Sequence, residues 1–376
     1  MEKKKNKQMA KRKSKSKAGN TPLGIVGVII VLILMALSYF LGVDLLGIGT
    51  DDGPVVVSTA GDWYEIYFTN PTCPPEAERT GGLDETIAED MLRAQSQVDV
   101  AAFDFDAEPM INALIELENR GVVVRVVTDE DNGSLSSINR LRRNGISVIE
   151  DQRSALMHDK FVVIDGRYVW TGSMNFTTNG VYCNNNNIVR FDSPELAANY
   201  TAELSEMYDQ QAFGRTSPDN APNKALSINE VRVENYFAAE DDIAPTLAAL
   251  VNNADQEILF MAFSFTLNDI GDSMLNRADA GVEVRGVFET TGSETDFSYY
   301  PVLLSEGVQV RQDGNPRIMH HKVIIIDRDT VVFGSYNFSR NANDSNDENL
   351  LIIYDPTFAG AFVEEFEKVW NEANPG

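Results

Sequence analysis

His158-Asp159-Lys160-Phe161-Val162-Val163-Ile164-Asp165 and His320-His321-Lys322-Val323-Ile324-Ile325-Ile326-Asp327 are two copies of one pattern, HxKxxxxD, set 162 residues apart. The same offset carries Gly172-Ser173-Met174-Asn175 onto Gly334-Ser335-Tyr336-Asn337. All three histidines of the 376-residue chain fall inside these two copies, with His321 filling the variable position of the second. Imidazole titrates near neutrality when unperturbed, so histidines this sparse and this regularly placed point to proton transfer or nucleophilic chemistry.

The repeat extends outward from the histidines. Ala102-Phe103-Asp104-Phe105 aligns with Ala262-Phe263-Ser264-Phe265, and the Gly121-Val122 segment with Gly281-Val282, both at an offset of 160. Tyr67-Phe68 matches Tyr236-Phe237 at 169, so the first half carries a small insertion around Cys73 and Pro74-Pro75. Each half is expected to run strand, helix, strand, helix, strand, then the motif. In the first half a strand is expected over 98–105, a helix over 110–119 stopped by Gly121, and a strand over 122–128. Such an α/β alternation buries a sheet beneath helices on its faces. The halves are placed at 59–209 and 227–376, joined by a polar connector at 210–226 that contains Pro218 and Pro222.

Lys160 to Asp165 and Tyr168 to Thr171 read as the two arms of a hairpin. With Gly166-Arg167 as a two-residue turn, His158 faces Asn175 and Lys160 faces Ser173. Around Arg328-Asp329 the same register sets His320 against Asn337 and Lys322 against Ser335. Alternate and facing residues share one side of a sheet, so each half clusters a His, a Lys, a Ser and an Asn. Asp165 lies seven residues from His158, roughly 23 Å along a strand and on the other parity, so Asp165 and Asp327 are expected to serve the turn or the framework. One such cluster also admits a reading as a structural hydrogen-bonded group. Two facing clusters put two histidines and two lysines around one anion, which suits phosphoryl transfer. One imidazole attacks phosphorus, the other protonates the departing oxygen, and the Lys, Asn and Ser donors hold the nonbridging oxygens.

The ends of the chain carry different information. Nine of the first twenty residues are Lys or Arg, and 23–41 holds no charge. About nineteen apolar residues at 1.5 Å each approach the roughly 30 Å hydrocarbon thickness, and flanking basic residues stay on the cytoplasmic side. The expectation is a basic cytoplasmic tail at 1–22, one transmembrane signal anchor at 23–41 and a linker at 42–58, with the catalytic part extracytoplasmic at the cell membrane. A cleaved signal peptide is the alternative, although its apolar region is usually shorter. The whole chain has 31 basic and 57 acidic residues; setting aside the nine N-terminal bases, Glu2 and Asp44 leaves 22 against 55. That balance disfavours nonspecific nucleic-acid binding, which rests on phosphate neutralisation, and it reads equally well as a solubility device. Cys73 and Cys183 match no metal-site spacing, and the sequence leaves open whether they pair.

The doubled HxKxxxxD and GSxN motifs resemble the phospholipase D superfamily over about residues 60–372. The resemblance implies a duplicated phospholipase D-like α/β fold, two mixed-sheet halves flanked by helices with pseudo-twofold symmetry and the site at their interface. It also implies a phosphohistidine intermediate with no metal or other cofactor. By motif position it makes His158 the nucleophile and His320 the general acid that later activates water, and it makes Lys160, Lys322, Asn175 and Asn337 phosphate-binding; the hairpin register adds Ser173 and Ser335 to that set. Members often orient a histidine with an acidic residue after GSxN; the second copy has Glu348 there, the first has Asn186. A carboxylate favours the protonated imidazole, so the histidine touching Glu348 is expected to lean toward the acid and the other toward the neutral nucleophile. The superfamily spans lipid hydrolases, phosphatidyl-transferring synthases and nucleases. The anchor and the acidic balance favour a phospholipid at a membrane surface, hydrolysed to phosphatidate and free headgroup by a catalytic unit complete within one chain. The alternatives are a membrane-tethered nuclease for single-stranded nucleic acid, a cardiolipin-synthase-like phosphatidyl transferase, and a non-catalytic phosphate-binding module.

Overall fold

The computed structural model describes residues 55–375. The expected tail, the anchor and most of the linker lie outside the described residues, and among those described no helix is long and apolar enough to cross a membrane.

Each half of the sequence repeat builds one mixed sheet. The eight strands of the first lie in the order Val55–Ala60, Tyr64–Thr69, Asn187–Asp192, Tyr168–Gly172, Lys160–Ile164, Gln97–Ala102, Val123–Asp129, Val148–Asp151. The second repeats this order from Ala225–Ile228 to Gln309–Gln312 and adds Asn374–Pro375 at its edge. Helices Glu108–Asn119 and Ser136–Arg143 return the chain between parallel neighbours, whereas the motif strands pair antiparallel. Strand Lys160–Ile164 sends Phe161 and Val163 into a central core shared with Val323, Ile325 and helices Pro194–Gln210 and Pro356–Glu372. Val162 and Ile164 enter a separate core under the first-half helices. Burial on both faces explains why the motif strands are continuous apolar runs rather than alternating ones.

The hairpin register differs from the expected one by a residue. Ile164 pairs with Tyr168 and Phe161 with Thr171, so the turn is Asp165-Gly166-Arg167; the second copy pairs Ile326 with Thr330 around Asp327-Arg328-Asp329. Lys160 therefore comes opposite Gly172, not Ser173, and Lys322 opposite Gly334, not Ser335. The cause is the motif aspartate. Asp165 takes φ 52° and accepts hydrogen bonds from Gln95 N at 2.8 Å, Ser96 N at 2.8 Å, Ser96 Oγ at 2.7 Å and Gln97 N at 3.0 Å. Asp327, at φ 51°, accepts from Asp255 N, Gln256 N and Glu257 N at 2.7–2.9 Å. Both aspartates thus tie the turn to the start of the next strand in the sheet. The glycine facing each lysine also has a reason: a Cβ at Gly172 would stand 2.3 Å from the Asn187 carbonyl, and at Gly334 2.2 Å from that of Asn349.

Asp165→Ala is expected to destabilise the protein by about 1–3 kcal/mol, because several backbone N–H groups lose a charged acceptor. Burial opposes ionisation of Asp165, but the hydrogen bonds from Ser96, Gln95 and Gln97 outweigh it and hold the carboxyl below its ordinary range. Its contribution is therefore present above the unfolded value near 3.9 and lost as pH falls through the lower folded one. Urea unfolding at neutral pH reads the loss, and turnover per folded molecule should be unchanged.

Candidate active site

The two halves meet through their backbones, and the meeting is crossed. Asn184–Asn185 of the first half pairs in parallel with Ile318–Met319 of the second, and Met157 bridges Asp347. His320 N donates to the Asn185 carbonyl and His158 N to the Asp347 carbonyl, both at 2.9 Å. Each histidine is thereby set beside the orienting residue of the opposite half. Glu348 Oε2 stands 2.7 Å from His158 Nδ1, and Asn186 Oδ1 stands 3.0 Å from His320 Nδ1. The Asn186 amide is fixed in sense, since its Nδ2 donates to the Gly180 carbonyl and its Oδ1 accepts from Ser173 Oγ. Nδ1 of each imidazole is thus engaged by the opposite half, so Nε2 is the nitrogen left for chemistry.

Glu348 on His158 conflicts with the expectation that the carboxylate marks the acid, since motif position makes His158 the nucleophile. Burial first, then the Lys160 and Lys322 ammoniums, hold His158 neutral and well below its usual range. Burial also pushes Glu348 up to about 7, against the pull of Lys160, Asn346, Ser335 and Lys322. In this setting the carboxylate selects the tautomer and turns Nε2 outward rather than protonating the ring. His320 is likewise held well below its usual range, by burial, Lys322, Lys160 and His158.

Both lysines are buried beside these rings. Lys160 Nζ donates to the His158 carbonyl at 2.6 Å and lies 5.3 Å from the Phe103 ring; Lys322 Nζ donates to the His320 carbonyl at 2.9 Å and lies 4.8 Å from Phe263. Desolvation lowers Lys160 to about 8, with Glu348, Asp159 and Asp104 opposing it, and with the help of Lys160 it holds Lys322 well below its usual range. Two buried ammoniums that keep both imidazoles neutral make a site that a bound anion relieves.

The serines stand elsewhere than expected. Ser173 Oγ is spent on Asn186 Oδ1 at 2.9 Å and Ser335 Oγ on Glu348 Oε2 at 2.8 Å, and each also accepts the N–H of Asn187 or Asn349. They hold the groups that orient the histidines instead of offering themselves to a phosphate; the one-residue register shift is the reason. Asn175 and Asn337 stay half-buried, each with an amide oxygen that has no hydrogen-bond partner among the described residues.

Phe103 and Phe263 were missed as site residues. Each packs edge-on to its histidine, at 5.0 and 4.9 Å, beneath the adjacent ammonium. The signal was the repeated Ala-Phe-x-Phe, which reads as strand when strand is all that is sought. His321 turns to the other face, with Nδ1 2.9 Å from Asn187 Nδ2 and Nε2 3.4 Å from Glu365. The two cysteines are bonded to each other, which fastens the first-half insertion three residues ahead of Asn186.

The family model described as cardiolipin synthase, PLD-like domain, matches residues 87–208 and 247–370. The mitochondrial cardiolipin hydrolase of Xenopus tropicalis is 38% identical over 136 residues, which is 36% of this chain and 64% of that protein. A phospholipase D of Rickettsia felis is 26% identical over 163 residues, 43% of this chain and 82% of that one. The chain spans 53–64% of the length of three cardiolipin hydrolases that it matches. The crystal structure of phosphatidylserine synthase from Haemophilus influenzae has the same fold, with a TM-score of 0.64 at 13% identity over 86% of this chain and 90% of that one.

Proposed function

We propose, from the premise that the chain belongs to the phospholipase D superfamily, that it is a phosphodiesterase that hydrolyses phospholipid to phosphatidate and free headgroup through a phosphohistidine. The observation that carries this reading is the crossed pair of histidines, each with Nδ1 held by the other half and a buried lysine beside it. His320 enters the reaction as the imidazolium, charged once the anionic diester offsets the two lysines; His158 Nε2 attacks phosphorus, the bond to the headgroup oxygen breaks, and His320 gives that oxygen the proton from its Nε2. His320 then takes a proton from water, the water oxygen attacks phosphorus, and the P–N bond to His158 breaks. Lys160 and Lys322, with Asn175 and Asn337, stabilise the nonbridging oxygens as charge develops on them.

Three features support a lipid as the substrate. The matched relatives are named for cardiolipin and phospholipid hydrolysis. Outside its first fifty residues the chain is strongly acidic, which suits a polynucleotide poorly. Phe297, 82% exposed, and Val302, exposed on helix Tyr300–Ser305, line an 800 Å³ cavity that also takes in Thr266 and Arg340, each three residues past a site residue. The uncharged segment 23–41 is proposed to anchor the chain with its catalytic part outside the cytoplasm, a placement in which the Cys73–Cys183 disulfide persists.

The test offers the full chain in detergent both phospholipid vesicles and single-stranded DNA. Phosphatidate release is expected, with DNA cleaved at least about tenfold more slowly. Cleavage of DNA without lipid turnover would sink the lipid assignment.

A further inference from the structure

The pseudo-twofold symmetry is broken a second time, on the far side of the motif strands. Helices Pro194–Gln210 and Pro356–Glu372 are equivalent at the motif's own offset of 162, so Glu203 corresponds to Glu365, Glu206 to Lys368, and Asp159 to His321. In the second half Glu365 lies between two basic groups, His321 Nε2 at 3.4 Å and Lys368 Nζ at 3.8 Å. In the first half all three equivalent positions are acidic. A fourth acid joins them from the second half: Glu240, just past strand Val231–Ala238. Oxygens of Glu203, Glu206 and Glu240 lie within 4.8 Å of one another.

These carboxylates have no basic partner among the described residues. Arg153, the partner of the neighbouring Asp347, is spent on that residue and on Asp151. Each of the three glutamates keeps one buried oxygen with no hydrogen-bond partner, Glu203 Oε1, Glu206 Oε1 and Glu240 Oε2. Glu203 is 3% exposed and Glu206 1%. Asp159 adds an independent observation. It is fully buried, its Oδ1 is held by Asn349 Nδ2 at 2.7 Å, its Oδ2 is unpartnered, and its charge acts on both Glu203 and Glu206.

Like charges this close and this dry require a counter-charge. A proton shared between carboxyls is one means; a cation is the other. The donor set is all oxygen, which selects a hard ion over zinc or copper, and ligands on opposite sides of an ion at roughly 2.4 Å, the Ca²⁺ distance, stand about 4.8 Å apart. We propose that a Ca²⁺ ion is bound by Glu203, Glu206 and Glu240, where it takes the place of the two basic side chains that the second half uses. It joins a first-half helix to a second-half loop directly behind Asp159, the residue between His158 and Lys160. Its role is to fasten the halves, and no reacting atom touches it.

The full chain is stripped with chelator, the chelator is removed, and CaCl₂ or MgCl₂ is returned while Tm is followed and bound metal is measured by mass spectrometry. One Ca²⁺ per chain and a Tm rise of about 5 °C or more are expected, with a smaller response to Mg²⁺. Glu240→Gln, at the least buried ligand, should fold yet lose both the bound Ca²⁺ and the Tm response. Glu206→Lys supplies the ammonium that stands at the equivalent place in the second half, and should hold the high Tm with no Ca²⁺. The proposal is overturned if the stripped parent keeps its Tm and takes up no ion, which leaves a shared proton as the counter-charge. It is equally overturned if both variants still bind Ca²⁺, or if Mg²⁺ serves as well. No substrate enters these measurements, so their outcome is independent of the lipid assignment.

Discussion

His158→Ala is expected to lower turnover by about 10⁴-fold or more and to leave no covalent adduct, because the variant lacks the nitrogen that attacks phosphorus. His320→Ala should lose steady-state turnover to a similar extent, yet behave differently within a single turnover. Given a substrate whose leaving group needs no proton, such as a nitrophenyl phosphodiester, it should release one equivalent of nitrophenolate and stall with His158 phosphorylated. Intact-protein mass spectrometry of acid-avoided samples, followed by peptide mapping, reads the adduct and its position. Label on His320 in the parent, or an adduct in His158→Ala, would reverse the proposed roles.

The next largest effects should come from the orienting pair, and they should be unequal. Glu348→Gln keeps an acceptor for His158 Nδ1 but removes the charge that stabilises the ring once Nε2 is phosphorylated, and it disturbs the bonds from Asn346 and Ser335. A fall in kcat of about 10²–10³-fold is expected. Asn186→Asp should cost less than about tenfold and should instead move the pH profile. His320 acts as the acid, so activity is lost as pH rises through its pKa. A carboxylate at Nδ1 raises that pKa, and the basic limb of kcat/KM should shift upward by about one unit. His158 acts as the neutral base, so its limb lies on the acid side and should stay where it is. Equal losses from the two substitutions would show that the Glu348/Asn186 difference does not separate the roles.

The crossed contact explains why these residues could be found in the sequence but not correctly matched. Glu348 and Asn186 stand at equivalent places in the repeat, and each follows the serine and asparagine of its own half, so local reading attaches each to its own histidine or to none. The contact is made by parallel bridges between Met157 and Asp347, and between Met319 and Asn185, across about 130 to 190 residues of chain. The register error has a similar origin. A two-residue turn at Gly166-Arg167 is the favoured local choice, but the Asp165 carboxylate is held by backbone N–H groups some seventy residues earlier. That long-range contact outweighs the turn preference and moves Ser173 off the lysine's position.

The duplication itself, the α/β alternation of each half, and the identity of the two histidines and two lysines were legible in the chain. They follow from residue spacing and from periodicity, which are local properties that survive without a fold. Partnership was not legible. Which carboxylate meets which imidazole, whether a hydroxyl faces substrate or a neighbouring amide, and where three glutamates from distant segments converge all depend on how two sheets dock. Docking is set by burial of the shared central core, a non-directional force that brings surfaces together according to shape and area, and that leaves no periodic mark in the sequence of either surface.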